Sequence, residues 1–194
     1  MPQVEFKTLV TSVRGGTHLA SFPTDTVPAL AARPDRAELI YVAKQRSLDK
    51  PLILMASEIE ELWNYVKGSD RELEIWNSIA QKYLPGALTL VLPANDRVPA
   101  AMNPSDPTTI GVRVPNHTIA RQILAQTGAL ATTSANRSGQ PALLSMSAIT
   151  AEFPEVLVLD AQSEEMASGT PSTVAKWTSE GWKILRQGAI DLQA

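Results

Sequence analysis

The chain has no cysteine, which excludes disulfides, thiolate catalysis and cysteine-ligated metal ions. It has two histidines, His18 and His117, and neither has the spacing of a metal ligand or of a Ser-His-Asp nucleophile, so we interpret both as structural. Neither G-x-x-x-x-G-K-[ST] nor G-x-G-x-x-G occurs in the chain. The sequence therefore predicts ligand binding by side chains rather than by a glycine-rich phosphate loop, with no metal held by protein ligands alone.

Aromatic side chains and net positive charge are also scarce. Aromatic residues make up 5% of the chain, and 20 acidic residues outnumber 17 basic ones, giving a formal net charge of −3. These values disfavour base stacking and nonspecific coating of nucleic acid, but they do not exclude a local basic pocket. No apolar run approaches the roughly 20 residues that span a bilayer, and the N-terminus lacks a signal pattern. We therefore expect a cytoplasmic protein with no membrane partner.

The length and composition favour one globular domain. The 194 residues, 44% of them hydrophobic, are enough to bury a sizeable core, so we predict a single domain over residues 1–194. Continuous apolar runs and alternating patterns predict strands at 19–22, 52–55, 88–92, 109–114, 130–133, 156–159, 173–177 and 182–185. Helices are predicted at 6–13, 36–45, 58–66, 71–83, 118–126 and 148–153, the second to fourth capped by Asp35, Ser57 and Asp70. The turn-rich segment 94–108 is predicted to be a surface loop. The mixture indicates an α/β or α+β domain.

Cations and hydroxyls follow several of these predicted elements. Lys44-x-Arg46 and Lys50 lie between a helix and a strand, where they can share the charge of a polyphosphate. The alternative is that these cations only mark a solvated helix C-terminus, where the helix dipole favours Lys and Arg. Arg113 shares a strand face with Thr109 and Gly111, which is typical of a ligand pocket, with an exposed strand face as the alternative.

Three further polar stretches have the same character. Thr24-Asp25-Thr26 follows a strand, Ser134-x-Asn136 lies in the densest run of small donors, and Ser172 and Arg186 flank a predicted hairpin. Each has an ordinary structural alternative, such as a turn, a helix cap or a polar loop. Taken together, they predict side chains that converge on one anionic ligand.

Seven motifs in order make the chain resemble the YrdC family of threonylcarbamoyl-AMP synthases over about residues 6–190. One motif alone would be weak, but seven in sequence order are specific. They are Phe22-Pro-Thr-Asp-Thr-Val27, Lys44-x-Arg46 with Lys50-Pro-Leu-Ile53, Leu84-Pro-Gly-x-Leu-Thr89, Thr109-x-x-Val-Arg113-x-Pro115, Ser134-Ala-Asn136-x-Ser-Gly139, Pro171-Ser-Thr-Val174 and Ile184-Leu-Arg-x-Gly188.

The resemblance implies a fold and a reaction. The family fold is α/β, a strongly twisted mixed sheet flanked by helices around a concave, positively lined cavity. The implied reaction joins L-threonine, bicarbonate or CO2 and ATP, with Mg2+ entering on ATP, and releases pyrophosphate and threonylcarbamoyl-AMP. Other tRNA-modification proteins then move the threonylcarbamoyl group to tRNA. Because the attacking groups belong to the substrates, the protein has mainly to position them and neutralise charge.

The resemblance also implies roles for individual residues. Lys44, Arg46, Ser134 and Asn136 would form the catalytic set at the phosphate end. ATP would be bound by Arg46, Lys50, Thr109, Ser134, the Ala142 region and Arg186. Threonine would be bound by Thr26, Met55, Arg113, Thr132 and Ser172.

The chain departs from the family pattern at several positions. Pro28-Ala29 stands where the family usually has Tyr-Gly, and Gln45-Arg46-Ser47 stands where it usually has Gly-Arg-Pro. Lys50 replaces a frequent Asn, and Met55 occupies the position of a histidine in many relatives. The related YciO branch lacks the full Lys-x-Arg and Ser-x-Asn set, whereas both pairs are kept here, which favours the synthase branch. Two alternatives stay open: a non-catalytic protein of the same fold that contacts tRNA or double-stranded RNA, and a paralogue with a different acyl or amino-acid substrate.

Overall fold

The computed structural model describes residues 3–160 and 167–192, which form six α-helices and one nine-stranded mixed sheet. The helices are α1 (Phe6–Arg14), α2 (Glu38–Lys44), α3 (Ile59–Leu62), α4 (Asp70–Tyr83), α5 (Thr118–Thr127) and α6 (Met146–Glu152). The strands are β1 (Ala20–Phe22), β2 (Ala29–Ala32), β3 (Ile53–Met55), β4 (Leu88–Pro93), β5 (Thr109–Arg113), β6 (Leu130–Ser134), β7 (Leu157–Val158), β8 (Thr173–Thr178) and β9 (Gly181–Arg186). The predicted α/β class is confirmed.

The strand order is β7-β1-β2-β6-β3-β5-β4-β8-β9, so elements distant in sequence become neighbours. The pairs β1–β7, β3–β5 and β4–β8 are parallel, and the other adjacent pairs are antiparallel. Strands β3, β5 and β6 meet at the centre, where Ile53 is in register with both Thr132 and Gly111. Polar positions from three chain regions are therefore brought onto one sheet.

Side-chain alternation divides the central strands between a core face and an open face. In β5, Ile110 and Val112 are buried in the main hydrophobic core, whereas Thr109, Gly111 and Arg113 line a cavity on the opposite face. Strands β4 and β8 repeat the pattern, because successive side chains of a strand point to opposite faces. The alternation that the sequence predicted for β5 is confirmed.

Helices cover the sheet unequally. Side chains of α2, α4 and α6, with Trp76 of α4 fully buried, belong to the main core. Helices α1 and α5 form a second core against β1, β2 and β6, which also contains Met55 at its border. Since Met55 also lines the cavity, the second core ends where the cavity begins.

Three helix starts differ from the sequence prediction. Residues Pro34–Arg36, including the predicted cap Asp35, form a 3-10 turn before α2, in which the Arg36 amide donates to the Arg33 carbonyl at 2.9 Å. At helix α3 the N-cap position is Glu58 rather than Ser57, with no capping hydrogen bond from its side chain, and the helix ends at Leu62 before a second 3-10 turn over Trp63–Tyr65. Helix α4 is capped by Ser69 rather than Asp70, and Ser69 forms a reciprocal capping box with Glu72.

Two further predictions need correction. Strand β2 was not predicted, since Ala-Leu-Ala-Ala has low strand propensity and follows Pro28 closely. The segment 94–108 is more than a surface loop, because it contains a 3-10 helix over Ala100–Met102 and a fully buried Met102. The Met102 carbonyl accepts a hydrogen bond of 2.8 Å from the Leu52 amide, which fixes the entry to β3.

Candidate ligand-binding site

A cavity of about 720 Å³ lies on the open face of the central strands. This volume falls within the range of small-molecule sites. Its lining includes four cationic side chains, Arg46, Arg113, Lys176 and Arg186, and two carboxylates, Asp49 and Asp106. The wall therefore carries an excess of positive charge, as the resemblance implied.

Eleven of the thirteen predicted site residues line this one cavity. Eight separate stretches of sequence contribute them, which is why no local pattern could prove their convergence. They are Thr26, Arg46, Met55, Thr109, Arg113, Thr132, Ser134, Asn136, Ala142, Ser172 and Arg186.

Lys44 and Lys50 do not belong to the lining. The side chain of Lys50 is exposed, and its backbone carbonyl accepts a hydrogen bond of 3.0 Å from Nε of Arg46. Lys44 is buried behind the wall, with 1% of its surface exposed. The direct contribution of Lys50 to a phosphate site, expected from the sequence, has no support in its position.

Lys44 holds the Ser134–Asn136 turn from behind. Its Nζ donates to the carbonyl of Ser134 and, at 3.2 Å, to Oδ1 of Asn136. Burial, assisted by the positive charge of Arg46, lowers the pKa of Lys44 to about 7. The contact joins residues 90 positions apart and makes Lys44 a support of the wall rather than part of it.

The turn itself is closed by Asn136. The Ser134 hydroxyl donates to Oδ1 of Asn136 at 2.5 Å, and Nδ2 of Asn136 donates to the carbonyls of Arg137 and Gln140 at 2.8 and 2.7 Å. Because the hydroxyl proton and both amide protons are used inside the turn, the Ser-x-Asn pair is fixed before a ligand arrives. Pre-organised polar groups of this kind lose little freedom on binding.

Arg46 and Arg186 are both held by backbone carbonyls. Arg46 donates to the carbonyls of Lys50 and Pro51, each at 3.0 Å, and Arg186 donates to the carbonyl of Ser172 at 2.8 Å. Burial lowers the pKa of each guanidinium, but arginine stays protonated at any physiological pH. These contacts orient the two cations toward the cavity without neutralising them.

Arg113 has a different environment. One NH2 hydrogen is donated to Oδ1 of Asp25 at 2.6 Å, NH1 donates to Oγ1 of Thr26 at 2.9 Å, and Nε donates to the Gly86 carbonyl at 3.0 Å. Burial lowers the pKa of Arg113, and the Asp25 carboxylate opposes that shift. Sequence reasoning did not include Asp25 among the site residues, although it lies between two residues of a recognised motif.

Ser172 connects the two groups of residues. Its hydroxyl lies 2.9 Å from Oγ1 of Thr89 and 3.3 Å from NH2 of Arg186. Thr89 was not predicted as a site residue, and its position in β4 with alternating apolar neighbours is the signal that would have found it. The residues expected to bind an amino acid and those expected to bind a nucleotide are thus in direct contact.

The Thr109 end of the cavity is organised by Asp106. The Thr109 hydroxyl donates to Oδ2 of Asp106 at 3.2 Å, and Asn103 donates to Oγ1 of Thr109 at 3.1 Å. Hydrogen bonds from Thr108 and Thr109 lower the pKa of Asp106, outweighing its partial burial. Over residues 3–160 and 167–192, no group of three or more His, Asp or Glu side chains is arranged to hold a metal ion.

The two histidines lie outside the cavity. The Nδ1 atom of buried His117 accepts from the amide of Ala120 at 3.4 Å and caps α5, while His18 forms a hydrogen bond of 2.7 Å with Thr17. These contacts agree with the structural roles assigned from the sequence. Among the helices of the described residues, none is long and apolar enough to cross a membrane.

The α/β sheet thus carries a cavity with an excess of cationic side chains, several of them fixed by hydrogen bonds within the protein. The Sua5–YciO–YrdC family model, described as telomere recombination, matches residues 14–188. The chain belongs to this family.

Curated relatives extend this assignment. The chain is 32% identical to a threonylcarbamoyl-AMP synthase of Pyrococcus abyssi, matching 90% of this chain and 52% of that protein. It is 29% identical to the threonylcarbamoyl-AMP synthase of Vibrio campbellii, matching 94% of this chain and 98% of that one. The chain thus spans about half the length of the Pyrococcus relative and nearly all of the Vibrio one.

Solved structures give the same picture. P. abyssi Sua5 complexed with L-threonine superposes with a TM-score of 0.81 at 29% identity, covering 96% of this chain and 56% of that one. E. coli YciO superposes with a TM-score of 0.83 at 23% identity over 96% of this chain and 90% of that one, a likeness of fold. The fold class implied by the resemblance is therefore confirmed.

Proposed function

We propose that this chain catalyses the ATP-dependent formation of threonylcarbamoyl-AMP from L-threonine and bicarbonate or CO2, with release of pyrophosphate. The observation that carries the proposal is the direct contact between Ser172 and Arg186, since it joins the expected amino-acid and nucleotide residues in one cavity. Relatives named threonylcarbamoyl-AMP synthases, and a threonine-bound homologue, support it.

The chemistry needs no nucleophile from the protein. The threonine amine captures CO2 and loses a proton to form a carbamate, whose oxygen attacks the α-phosphorus while pyrophosphate leaves. Arg46 and Arg186 keep their full charge and suit the negative charge that develops on the phosphates. Mg2+ is proposed to accompany ATP, bound through phosphate oxygens and water.

The product is proposed to be the first intermediate of tRNA threonylcarbamoyladenosine formation, taken up by other tRNA-modification proteins. A cavity in the small-molecule size range suits a nucleotide and an amino acid better than an RNA duplex. Contact with tRNA and a cytoplasmic location, both expected from the sequence, remain predictions.

One observation favours a second candidate, a paralogue that activates a different amino acid. Met55 is 3% exposed, lines the cavity and is in register with Arg113 across β3 and β5. A thioether beside the expected carboxylate-binding arginine offers weak hydrogen bonding to a threonine hydroxyl. An apolar amino-acid side chain would fit this position at least as well.

The experiment is pyrophosphate release from ATP and Mg2+, with threonine and bicarbonate each omitted in turn. The proposal predicts release only when both are present. Release with another amino acid in place of threonine would establish the paralogue. If ATP protects the protein thermally while no amino acid supports release, the proposed reaction is wrong.

A further inference from the structure

Arg113 is the cavity arginine with a carboxylate in direct contact. The Asp25–Arg113 pair, with 2.6 Å between Oδ1 and NH2, leaves 15% of the Asp25 and 5% of the Arg113 side-chain surface exposed. Paired charges at this separation, with little water between them, largely cancel when viewed from a ligand. The pair itself is therefore close to neutral, and a further positive charge acts on it from Arg186.

Arg46 and Arg186 differ from Arg113 in the identity of their hydrogen-bond partners. Arg46 and Arg186 donate to the carbonyls of residues 50, 51 and 172, which orient a cation without cancelling its charge. The cavity thus has two arginines whose charge is not cancelled, which suit phosphate, and one neutral pair, which does not. The part of a ligand that contacts the neutral pair must itself be close to neutral to avoid a net loss of solvation.

The hydroxyl protons near Arg113 point to the same conclusion. Thr24 donates its proton to the Val27 carbonyl at 2.7 Å, so the Thr24–Thr26 hydrogen bond of 3.2 Å must use the Thr26 proton. Thr132 donates its proton to the Ile53 carbonyl at 3.0 Å. Thr26 and Thr132 can therefore only accept hydrogen bonds from a ligand.

An acceptor pair beside a neutralised arginine fits one class of ligand. The unused N–H groups of Arg113 suit a carboxylate. The lone pairs of Thr132 and the one that Thr26 keeps after accepting from Arg113 suit an ammonium group. A free amino acid carries both groups and has no net charge at its backbone. A simple carboxylate would leave the acceptors without a donor.

We infer that Asp25 is a positioning and specificity residue: by holding Arg113 in a neutral pair, it makes this end of the cavity select a zwitterionic amino acid over a simple anion. The inference deepens the proposed function and rests on it for the choice of threonine as the first amino acid. Its test uses binding alone, so the two can fail separately.

The experiment compares ligands that differ by one charged group, by calorimetry on the whole chain. L-threonine is paired with 3-hydroxybutyrate, which lacks the amine, and with 1-amino-2-propanol, which lacks the carboxylate. L-valine with isovalerate forms a second pair. The wild-type protein is expected to bind at least one amino acid more than about tenfold tighter than its anion, equivalent to about 1.4 kcal/mol.

Asp25→Asn keeps the shape but leaves the Arg113 charge uncompensated. The preference for the amino acid over its anion should fall by about tenfold or more, chiefly because the anion binds more tightly. Arg113→Gln leaves Asp25 uncompensated instead and should shift the preference toward 1-amino-2-propanol. This second variant keeps the inference testable if Asp25→Asn does not fold.

Asp35→Asn is the matched control, because Asp35 pairs with Arg33 at the same 2.6 Å but lies on the surface outside the cavity. Its ligand preferences should equal those of the wild-type protein. Wild-type protein that binds no amino acid better than its anion would overturn the inference, as would an unchanged preference in a folded Asp25→Asn. Selective binding of an amino acid without pyrophosphate release would instead contradict the proposed function alone.

Discussion

At the scale of single residues, Lys44 shows how a cation can serve a site that it does not touch. Its ammonium group supports the carbonyl of Ser134 and the side chain of Asn136 from behind the cavity wall. The sequence could place Lys44 near the phosphate end by resemblance. It could not show that the side chain is buried, because that depends on a contact across 90 residues.

The lowered pKa of Lys44 predicts a pH-dependent contribution to stability. Since the folded-state pKa is about 7 and the unfolded value near 10.5, the unfolded chain binds more protons between these two values. The contribution of Lys44 to the free energy of unfolding should therefore rise with pH from about 7 upward, by at most about 1.4 kcal/mol per pH unit.

Denaturant unfolding of the wild-type protein and Lys44→Met at pH 7, 8 and 9 measures this contribution. The difference between their unfolding free energies should shift in favour of the wild-type protein as pH rises. Exposed Lys67, changed to Met, should give a difference that is constant over this range. Parallel curves for wild-type and Lys44→Met would show that Lys44 has an ordinary pKa.

Arg46 provides a second prediction for a single residue. Because its partners are two carbonyls of a surface turn, Arg46→Ala should alter the free energy of unfolding by less than about 1 kcal/mol. The lost charge should lower kcat/KM for ATP by about a hundredfold, the scale of one electrostatic donor in a transition state. Arg36→Ala, which removes an exposed surface arginine paired with Glu38, serves as the control. Steady-state kinetics equal to wild type would remove Arg46 from the site.

At the scale of elements, the C-terminal segment crosses close over the start of β8. A Cβ atom built on Gly188 would lie 2.3 Å from the Pro171 carbonyl oxygen and 2.5 Å from the Thr173 amide nitrogen. The Thr173 hydroxyl fixes the crossing by accepting from the amide of Gly188 at 3.0 Å and of Ile190 at 3.1 Å. The crossing thus holds Ser172 beside Arg186.

Gly188→Ala should therefore affect stability and the site together. Relief of the overlap requires backbone movement, which should lower the free energy of unfolding by about 1–3 kcal/mol and raise the KM for ATP. Gly15→Ala is the matched control, since the nearest atom to its added Cβ is a carbonyl oxygen at 3.3 Å and its φ is −65°. Equal unfolding curves for both variants would contradict the close crossing.

Elements with a clear period were predictable from the sequence, and those fixed by distant contacts were not. Strand β5 was found because Thr109, Gly111 and Arg113 alternate with branched apolar residues. Strand β2 was missed because its side chains are small, and its pairing with β1 and β6 determines its structure. The N-cap positions lie one or two residues from the predicted ones, because helix boundaries are the part of a helix that a sequence pattern places least accurately.

At the scale of the whole molecule, one sheet face is shared between packing and ligand binding. Helices α1 and α5 cover β1, β2 and the start of β6, whereas the cavity extends over β3, β4, β5, β8 and the end of β6. Eleven of the residues to which the resemblance gave roles line this cavity. The resemblance included Asp25 in a motif but assigned it no role, because that role depends on the distance and burial of its pair with Arg113.

The most direct test of the proposed reaction is detection of its product. Incubation with ATP, Mg2+, L-threonine and carbon-13 bicarbonate, followed by mass spectrometry, should reveal threonylcarbamoyl-AMP heavier by the single labelled carbon, and Arg46→Ala should greatly reduce it. An adenylate that forms without the label, or no adenylate from a folded protein that binds both ATP and threonine, would contradict the proposal.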